Sequence, residues 1–297
     1  MYIDVFKVFC DLAETGSFSK AAVLNDVTQS AVSQQVRAIE NKFQVVLVDR
    51  GRRNFALTNE GKAFLQASRE ILEVYNHLGD RLHEMRNVVA GELKIASIYS
   101  IGLHELPPHL KAFREKFPDV EVHVEYRRSQ QVYSLVLDGD VDLGLVAYPS
   151  KRTGLLVEIF SKDKLIIICH PNHGLAGEKS VALDRLSGEK FIAFEPDAPT
   201  RKVIDRHLRD HGVLIEHAME FDNIETVKRA VEVESGVSIV PSNTVRQEVE
   251  SGLLAAVAID DPEMARPLGV ITKRNRARSP AHKEFVAALR DGGADAG

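Results

Sequence analysis

The stretch KAAVLNDVTQSAVSQQVRAIE, residues 20–40, predicts two short helices that meet at a bend. Asn25 and Asp26 supply the turn, because both side chains can hydrogen-bond nearby backbone groups. Ser17 and Thr28 stand where each helix needs an N-cap. Small alanines on both sides of the bend let the helices cross closely. The stretch therefore predicts a helix-turn-helix.

The helix after the bend has two nearly opposed faces. At ~100° per residue, Val32, Val36 and Ile39 fall on one apolar stripe that should face the core. The remaining side chains include glutamine, serine and arginine, which can address base edges or phosphates. A solvated polar face would show the same pattern, so both interpretations stay open at this point. The candidate DNA-binding residues of this helix are Gln29, Ser30, Ser33, Gln34 and Arg37.

A basic hairpin follows in FQVVLVDRGRRNFALTNEG, residues 43–61, where a hydrophobic run and a returning strand flank a tight turn. This pattern is typical of a wing. Arg50, Arg52 and Arg53 at its tip could neutralise phosphates or enter the minor groove. The alternative is a basic hairpin exposed to solvent.

These motifs together resemble the winged helix-turn-helix of LysR-type transcriptional regulators. The resemblance runs without a gap through about the first 65 residues, from FCDLAETGSFSKAA to VTQSAVSQQVRAIE, DRGRR and LTNEG. It implies that residues 1–58 form a DNA-binding domain, with the helix-turn-helix at about 18–37. The expected partner is double-stranded DNA.

The next segment, 59–90, predicts one long helix. It has no proline, and an apolar side chain recurs with the rhythm of a coiled coil. Packing of this seam on the C-terminal domain and pairing with a second chain are both possible from the heptads alone. The family resemblance implies a linker helix that pairs two DNA-binding heads in a homodimer or homotetramer. The seam residues are Ile71, Tyr75, Leu78, Leu82, Met85 and Val89.

Strands alternate with helices from residue 91 onward, among them a helix predicted at 103–117 and a strand predicted at 190–194, which predicts an α/β domain with a largely parallel sheet. Two series of elements indicate two lobes, lobe I at about 91–160 and 267–297 and lobe II at about 161–266. A ligand cleft between them is expected at strand ends and helix starts. The whole chain is thus predicted to be multidomain, α and α/β. The resemblance implies a two-lobed effector-binding domain of the type 2 periplasmic-binding-protein-like fold.

Hydroxyl side chains at predicted helix starts are the candidate effector ligands. Ser100, Ser129 and Thr200 would lie beside free N–H groups and the positive end of a helix dipole, which suits an anion. Each could equally be an ordinary helix cap. The resemblance implies that these three positions bind a small-molecule effector, and the helix starts favour an anionic metabolite. The second contributors are Tyr99, Gln130, Gln131 and Asn223.

Composition and motif content narrow the class of protein. The net charge is −5, yet the first 58 residues hold 7 basic and 6 acidic side chains, so a local basic patch remains possible. Cys10 and Cys169 are too few for a disulfide frame or zinc cluster. His170 and His173 are expected on a surface turn, with no metal. No nucleotide or hydrolase motif occurs, so neither enzyme activity nor a cofactor is expected.

The chain shows no secretory signal and no apolar run that could span a membrane, which predicts a cytoplasmic protein. Two other functions are compatible with the residues. One is an α/β solute-binding or enzymatic protein whose N-terminal helices serve assembly. The other is a DNA-architectural protein without an effector.

Overall fold

The computed structural model describes residues 2–49, 55–85 and 88–293. The chain divides into two compact units, Met1–Val88 and Val89–Gly297. The long helix groups with the three N-terminal helices in the first unit. The three arginines predicted at the wing tip, Arg50, Arg52 and Arg53, lie outside the described residues, as does the side chain of Met85.

The first unit begins with three helices, α1 (Asp4–Thr15), α2 (Phe18–Leu24) and α3 (Gln29–Phe43). Gly16 ends α1 in the left-handed conformation, at φ 59°, which glycine adopts without steric cost. Both predicted caps are present, since Ser17 accepts a hydrogen bond from the Lys20 N–H and Thr28 accepts one from the Ala31 N–H. The starts of both helices in the helix-turn-helix are therefore set by local hydrogen bonds between a side chain and the backbone.

The core of this unit is where the three helices meet. Ala21 in α2 is completely buried, and its small side chain leaves room for the neighbouring helices. The predicted apolar stripe of α3 is also buried, as are Phe9 and Leu12 of α1. The long helix α4 (Asn59–Met85) closes the core, because the rings of Phe9 and Phe64 meet edge to face at 5.0 Å.

The wing is visible as two short antiparallel segments before and after the undescribed tip. Val48 pairs with Leu57 in an antiparallel bridge. The Asp49 N–H donates to the Ala56 carbonyl at 2.9 Å. The predicted hairpin is thus present, although its pairing is one bridge rather than a full strand.

Lobe I of the second unit starts with β1 (Gly91–Ser97), α5 (Tyr99–His104), α6 (Leu106–Lys116), β2 (Val120–Tyr126), α7 (Ser129–Asp138) and β3 (Leu143–Ala147). The strand β1 lies parallel between β2 and β3. The single helix predicted at 103–117 is divided in two at Glu105. Pro107 and Pro108 cause the break, because neither has an N–H to continue the hydrogen bonds of α5.

The chain then crosses to lobe II and returns. The elements are β4 (Leu155–Cys169), β5 (Ser180–Val181), β6 (Lys190–Phe194), α8 (Pro199–Asp210), β7 (Glu216–Phe221), α9 (Ile224–Glu232), β8 (Ser238–Pro241), α10 (Arg246–Glu250), β9 (Ala255–Ile259), β10 (Ala265–Lys273) and α11 (Pro280–Gly293). The main sheet has the order β2-β1-β3-β10-β4-β9-β5, and β8 also pairs with β4. The antiparallel pair β4 and β10 is therefore the covalent link between the lobes.

Each lobe has its own core. In lobe I, Phe113 of α6 and Phe285 of α11 pack edge to face with ring centroids 5.1 Å apart. In lobe II, Ile167, Ile192 and Val227 are completely buried where β4, β6 and α9 meet. Two separate cores joined by two strands allow the lobes to move as bodies, with a cleft between them. Within the described residues, no helix is long and apolar enough to cross a membrane.

Candidate nucleic-acid interface and ligand cleft

One face of α3 is exposed, as the sequence predicts. Four of the five candidate residues are exposed, and Ser33 is half-buried. The Ser30 hydroxyl lies 2.9 Å from the Thr28 hydroxyl, so it shares a hydrogen bond with the helix cap. The free face therefore presents two glutamines and an arginine, which are groups that bond base edges in a major groove. The exposed residues are Gln29, Ser30, Gln34 and Arg37.

The seam of α4 is solvent-exposed within a single chain. The exposed fractions are 40% for Ile71, 54% for Tyr75, 55% for Leu78 and 52% for Leu82. Large apolar side chains in a row on one helix face mark an interaction surface. The heptad pattern assigns Val89 to the same seam. Val89 lies in the second unit, however, and packs against the lobe I core.

The second unit contains a cleft between its lobes that encloses about 740 Å³, its open mouth included. Six of the seven predicted effector residues line it. The exception is Gln131, whose side-chain oxygen accepts the Arg128 N–H at 3.2 Å, so its amide turns back onto its own helix. The six that line the cleft are Tyr99, Ser100, Ser129, Gln130, Thr200 and Asn223.

The helix starts around the cleft differ in detail from the prediction. The helix α7 begins at Ser129 with Arg128 as its N-cap, so Ser129 is not the cap residue. Thr200 follows Pro199 inside the first turn of α8. Asn223 does cap α9, since its side-chain oxygen accepts the Thr226 N–H at 3.1 Å. The hydroxyls of Ser129 and Thr200 are therefore not used for side-chain capping.

Arg266 on β10 is the main lining residue that sequence reasoning missed. It is 2% exposed, and its Nη1 donates to the Ser100 hydroxyl at 2.9 Å. Its Nη2 donates to the Asp163 carboxylate at 3.1 Å. Burial lowers the pKa of Arg266, and the charge of Asp163 opposes that shift. Its Nε is buried without a hydrogen-bond partner, so this cation has spare donor capacity beside Ser100.

Arg128 is the second missed residue, and it links the lobes at the cleft. Its guanidinium lies 3.0 Å from the Glu195 carboxylate and 3.1 Å from that of Asp222. The hydrogen bond to Asp222 raises the pKa of Arg128, and the same bond lowers the pKa of Asp222. Arg128 and Asp222 therefore stay charged at neutral pH, and one lobe I cation contacts two lobe II carboxylates.

A further pair of contacts joins the lobes through the end of α5. The His104 Nε2 lies 2.7 Å from the Glu225 carboxylate. The Asn243 amide donates to the Glu105 carboxylate at 2.9 Å. These contacts, together with Arg128, mean that a change in lobe separation must break several polar contacts.

The two histidines of the H-x-x-H pair contact separate carboxylates. His170 lies 3.0 Å from Glu234, and His173 lies 3.3 Å from Glu189. Over the part of the chain that the structure describes, no group of three or more His, Cys, Asp or Glu side chains is placed to hold a metal ion. Burial raises the pKa of Cys169 to about 11, which makes its thiol unreactive at neutral pH.

Comparisons with known proteins agree with this architecture. Residues 3–62 match the family model described as bacterial regulatory helix-turn-helix protein, lysR family, and residues 86–294 match the LysR substrate binding domain. The chain is 31% identical to a probable RuBisCO transcriptional regulator of Chlorokybus atmophyticus, covering 95% of this chain and 92% of the relative. It is 27% identical to the transcriptional regulator CysL of Bacillus subtilis, covering 98% and 97%.

Among solved structures, the chain is similar to full-length CbnR in complex with its target DNA. The TM-score is 0.69 at 23% sequence identity, and the match covers 98% of this chain and 99% of CbnR. At this identity the likeness concerns the fold, which is the winged helix-turn-helix followed by a two-lobed α/β domain.

Proposed function

The chain belongs to the LysR family of transcriptional regulators, and from that premise we propose how its two ends work. The α3 face binds double-stranded DNA in a homodimer or homotetramer paired through α4. A small anionic metabolite binds between the lobes and changes the DNA-bound state. The protein is a regulator and not an enzyme, and its proposed location is the cytoplasm.

The observation that carries the DNA-binding proposal is the two-sided character of α3. Val32, Val36 and Ile39 hold one face in the core, which fixes the direction of the opposite face. Gln34 and Arg37 lie one turn apart on that exposed face, where both can reach base edges of one major groove. The arginines of the wing tip would then add phosphate contacts that carry no sequence information.

We expect Arg37→Ala to weaken binding to the cognate site by about 1–3 kcal/mol and to relax base preference at one position of each half-site. Gln34→Ala should act in the same way at a neighbouring position. Fluorescence anisotropy with the upstream DNA of its own gene and with scrambled DNA measures both. Arg209→Ala is the matched control, because it removes an equal charge from an exposed helix end in the second unit.

Equal affinity of the wild type for cognate and scrambled DNA, across a set of candidate promoters, would refute the base-reading role. That result with salt-sensitive binding retained would favour the DNA-architectural alternative. Absence of any salt-sensitive complex from a folded sample would instead favour the α/β solute-binding alternative.

The effector proposal rests on the six lining residues that converge on one cleft from four helix starts. Ser100 is the first candidate, because its hydroxyl already lies against the buried cation of Arg266 at 2.9 Å. A ligand that contacts both lobes shifts the population of lobe arrangements toward the one it binds best. That shift changes the geometry of the DNA-binding heads, and with it the DNA bend or half-site spacing that the oligomer favours.

We expect Ser100→Ala to weaken the response to the effector while DNA binding is retained. The variant also leaves one Arg266 N–H without its acceptor, which costs about 1–3 kcal/mol of stability. Induction curves of a reporter gene, together with thermal unfolding, separate the two effects. Ser134→Ala is the control, because this exposed serine on α7 does not line the cleft. An unchanged induction curve would limit Ser100 to a structural role.

A further inference from the structure

The two walls of the cleft carry opposite charge. Arg127 and Arg128 line it from lobe I, whereas Glu195, Asp197 and Asp222 line it from lobe II. Arg127 is engaged by Glu125 at 2.6 Å, and Arg266, the third lining cation, is paired with the buried carboxylate of Asp163 at 3.1 Å. The charge of Asp197 acts on Arg128 in addition to those of Glu195 and Asp222. Arg128 is therefore the cation that balances the lobe II wall.

The pairing of Arg128 restricts which ligands can enter. A ligand with only an anionic group would draw Arg128 away from Glu195 and Asp222, and these two carboxylates would lose the cation that they share. In the unliganded cleft these pairs are exposed to solvent, but a ligand that fills the cleft displaces that water, and a charge left unpaired beside the ligand is then costly. A ligand with only a cationic group would compete with Arg128 for the same carboxylates and leave the guanidinium unpaired. Neither class matches both walls.

A ligand with both kinds of group replaces the existing pairs one for one. We propose that the effector is dipolar, with an anionic group that binds Arg128 and Ser100 and a donor-rich group that binds Glu195 and Asp222. The donor-rich group is an ammonium or a set of neighbouring hydroxyls, since both donate hydrogen bonds to carboxylates. This inference rests on the proposed effector role of the cleft and narrows the class of its ligand.

Replacement of the Arg128 ion pairs by a dipolar ligand also connects ligand binding to the relative positions of the two lobes. Without ligand, Arg128 contacts the lobe II carboxylates directly, at 3.0–3.1 Å. With a dipolar ligand in between, the same charges are joined through the ligand, so its length sets their separation. A shorter and a longer dipolar ligand would therefore favour different lobe arrangements.

The test uses full-length protein and matched pairs of probes that differ only in the donor group. Glutarate against L-glutamate tests an added ammonium, and n-propyl phosphate against glycerol 3-phosphate tests added hydroxyls. Further pairs of graded chain length extend the panel. Calorimetric titration and thermal shift should show at least one donor-bearing probe that binds about tenfold more tightly than its partner. The probe pair that shows this difference in affinity identifies the donor group as an ammonium or as hydroxyls.

Variants then locate the donor site. The double variant Glu195→Gln/Asp222→Asn should reduce the preference within a responding pair to about threefold or less. The control double variant Asp210→Asn/Glu216→Gln neutralises two exposed acids outside the cleft and should leave the preference unchanged. Arg128→Gln should raise the affinity for n-propylammonium by about tenfold, because it vacates both carboxylates.

Three outcomes would count against the inference. Purely anionic probes that bind as tightly as their dipolar partners, with no effect of Glu195→Gln/Asp222→Asn, would overturn the dipolar class and leave the cleft as an anion site. No gain for n-propylammonium in Arg128→Gln would overturn the exchange at these carboxylates. No binding of any probe by a folded, DNA-binding sample would overturn both the inference and the effector role of the cleft.

Discussion

Asp163→Ala is expected to lower the free energy of unfolding of the second unit by about 3–5 kcal/mol, because it leaves the cation of Arg266 buried and unpaired. The two residues face each other on the crossing strands β4 and β10 and are 3% and 2% exposed. The Asp163 carboxylate also accepts a hydrogen bond from the Ser242 hydroxyl at 3.0 Å. Loss of one carboxylate thus removes two bonds at the link between the lobes.

Urea unfolding followed by tyrosine fluorescence measures this effect, since the chain has no tryptophan and six tyrosines, of which four lie in the second unit. Glu284→Ala is the matched control, because its pair with Lys116 is exposed, at 3.4 Å, and such pairs contribute about 0–1 kcal/mol. Asp163→Leu combined with Arg266→Met should recover most of the loss, because no buried charge remains. If Asp163→Ala lowers the free energy of unfolding by no more than Glu284→Ala does, the buried Arg266 does not require its carboxylate partner and the prediction is wrong.

The parts of the fold that the sequence predicts well are set by local chemistry. The bounds of α3 follow from the Thr28 cap and from an apolar stripe within a single helix. The strand β6 lies at the bounds that the sequence predicts, 190–194, because it is a short apolar run between turns. Such features depend on residues a few positions apart, which sequence patterns report directly.

The parts that the sequence does not predict depend on distant residues. In the first half of β4, LLVEIFS, only Leu155 and Phe160 are buried, so burial does not alternate as in a typical strand, and it is a strand because β10 pairs with it along this half. Asp163 and Arg266 are 103 positions apart in the sequence. A charged residue considered alone is expected at the surface. Arg128 and Asp222 are likewise separated by 94 positions. Charged pairs of this kind become visible only when the sheet is assembled.

The same distinction between local and distant contacts explains which of the candidate effector-binding residues line the cleft. Six effector residues converge because helix starts surround the interlobe cleft in this fold, which the element order already implies. Gln131 does not line the cleft, because its side-chain oxygen accepts the Arg128 N–H at the start of its own helix. The sequence pattern therefore locates the cleft, whereas the contacts inside it depend on how distant segments come together in the folded domain.

The second large effect is expected at the α4 seam, where Leu78→Asp should dissociate the proposed oligomer. Leu78 is 55% exposed in the single chain, with Tyr75 and Leu82 beside it on the same face. Covering a leucine stabilises an interface by about 1.5–3 kcal/mol, and a two-fold interface contains each residue twice. Two aspartates brought into one seam would also repel each other.

Loss of pairing should weaken binding to a DNA site with two half-sites by about a hundredfold or more, because linked heads bind with an effective concentration that separate heads lack. Affinity for a single half-site should stay unchanged, since α3 is intact. Sedimentation velocity and anisotropy with one-half-site and two-half-site DNA measure both quantities. Gln66→Asp is the control, because it adds the same charge to α4 at an exposed position turned about 120° from Leu78.

The two measurements together separate the possible roles of α4. If Leu78→Asp leaves both the oligomer and the two-site affinity unchanged, the seam is not the pairing surface. If the oligomer dissociates while the two-site affinity is unchanged, each head binds DNA alone and pairing serves another purpose. Only a joint loss, with single half-site binding retained, agrees with two heads held at a fixed spacing by α4. The spacing would then be the quantity that the lobes of the second unit adjust.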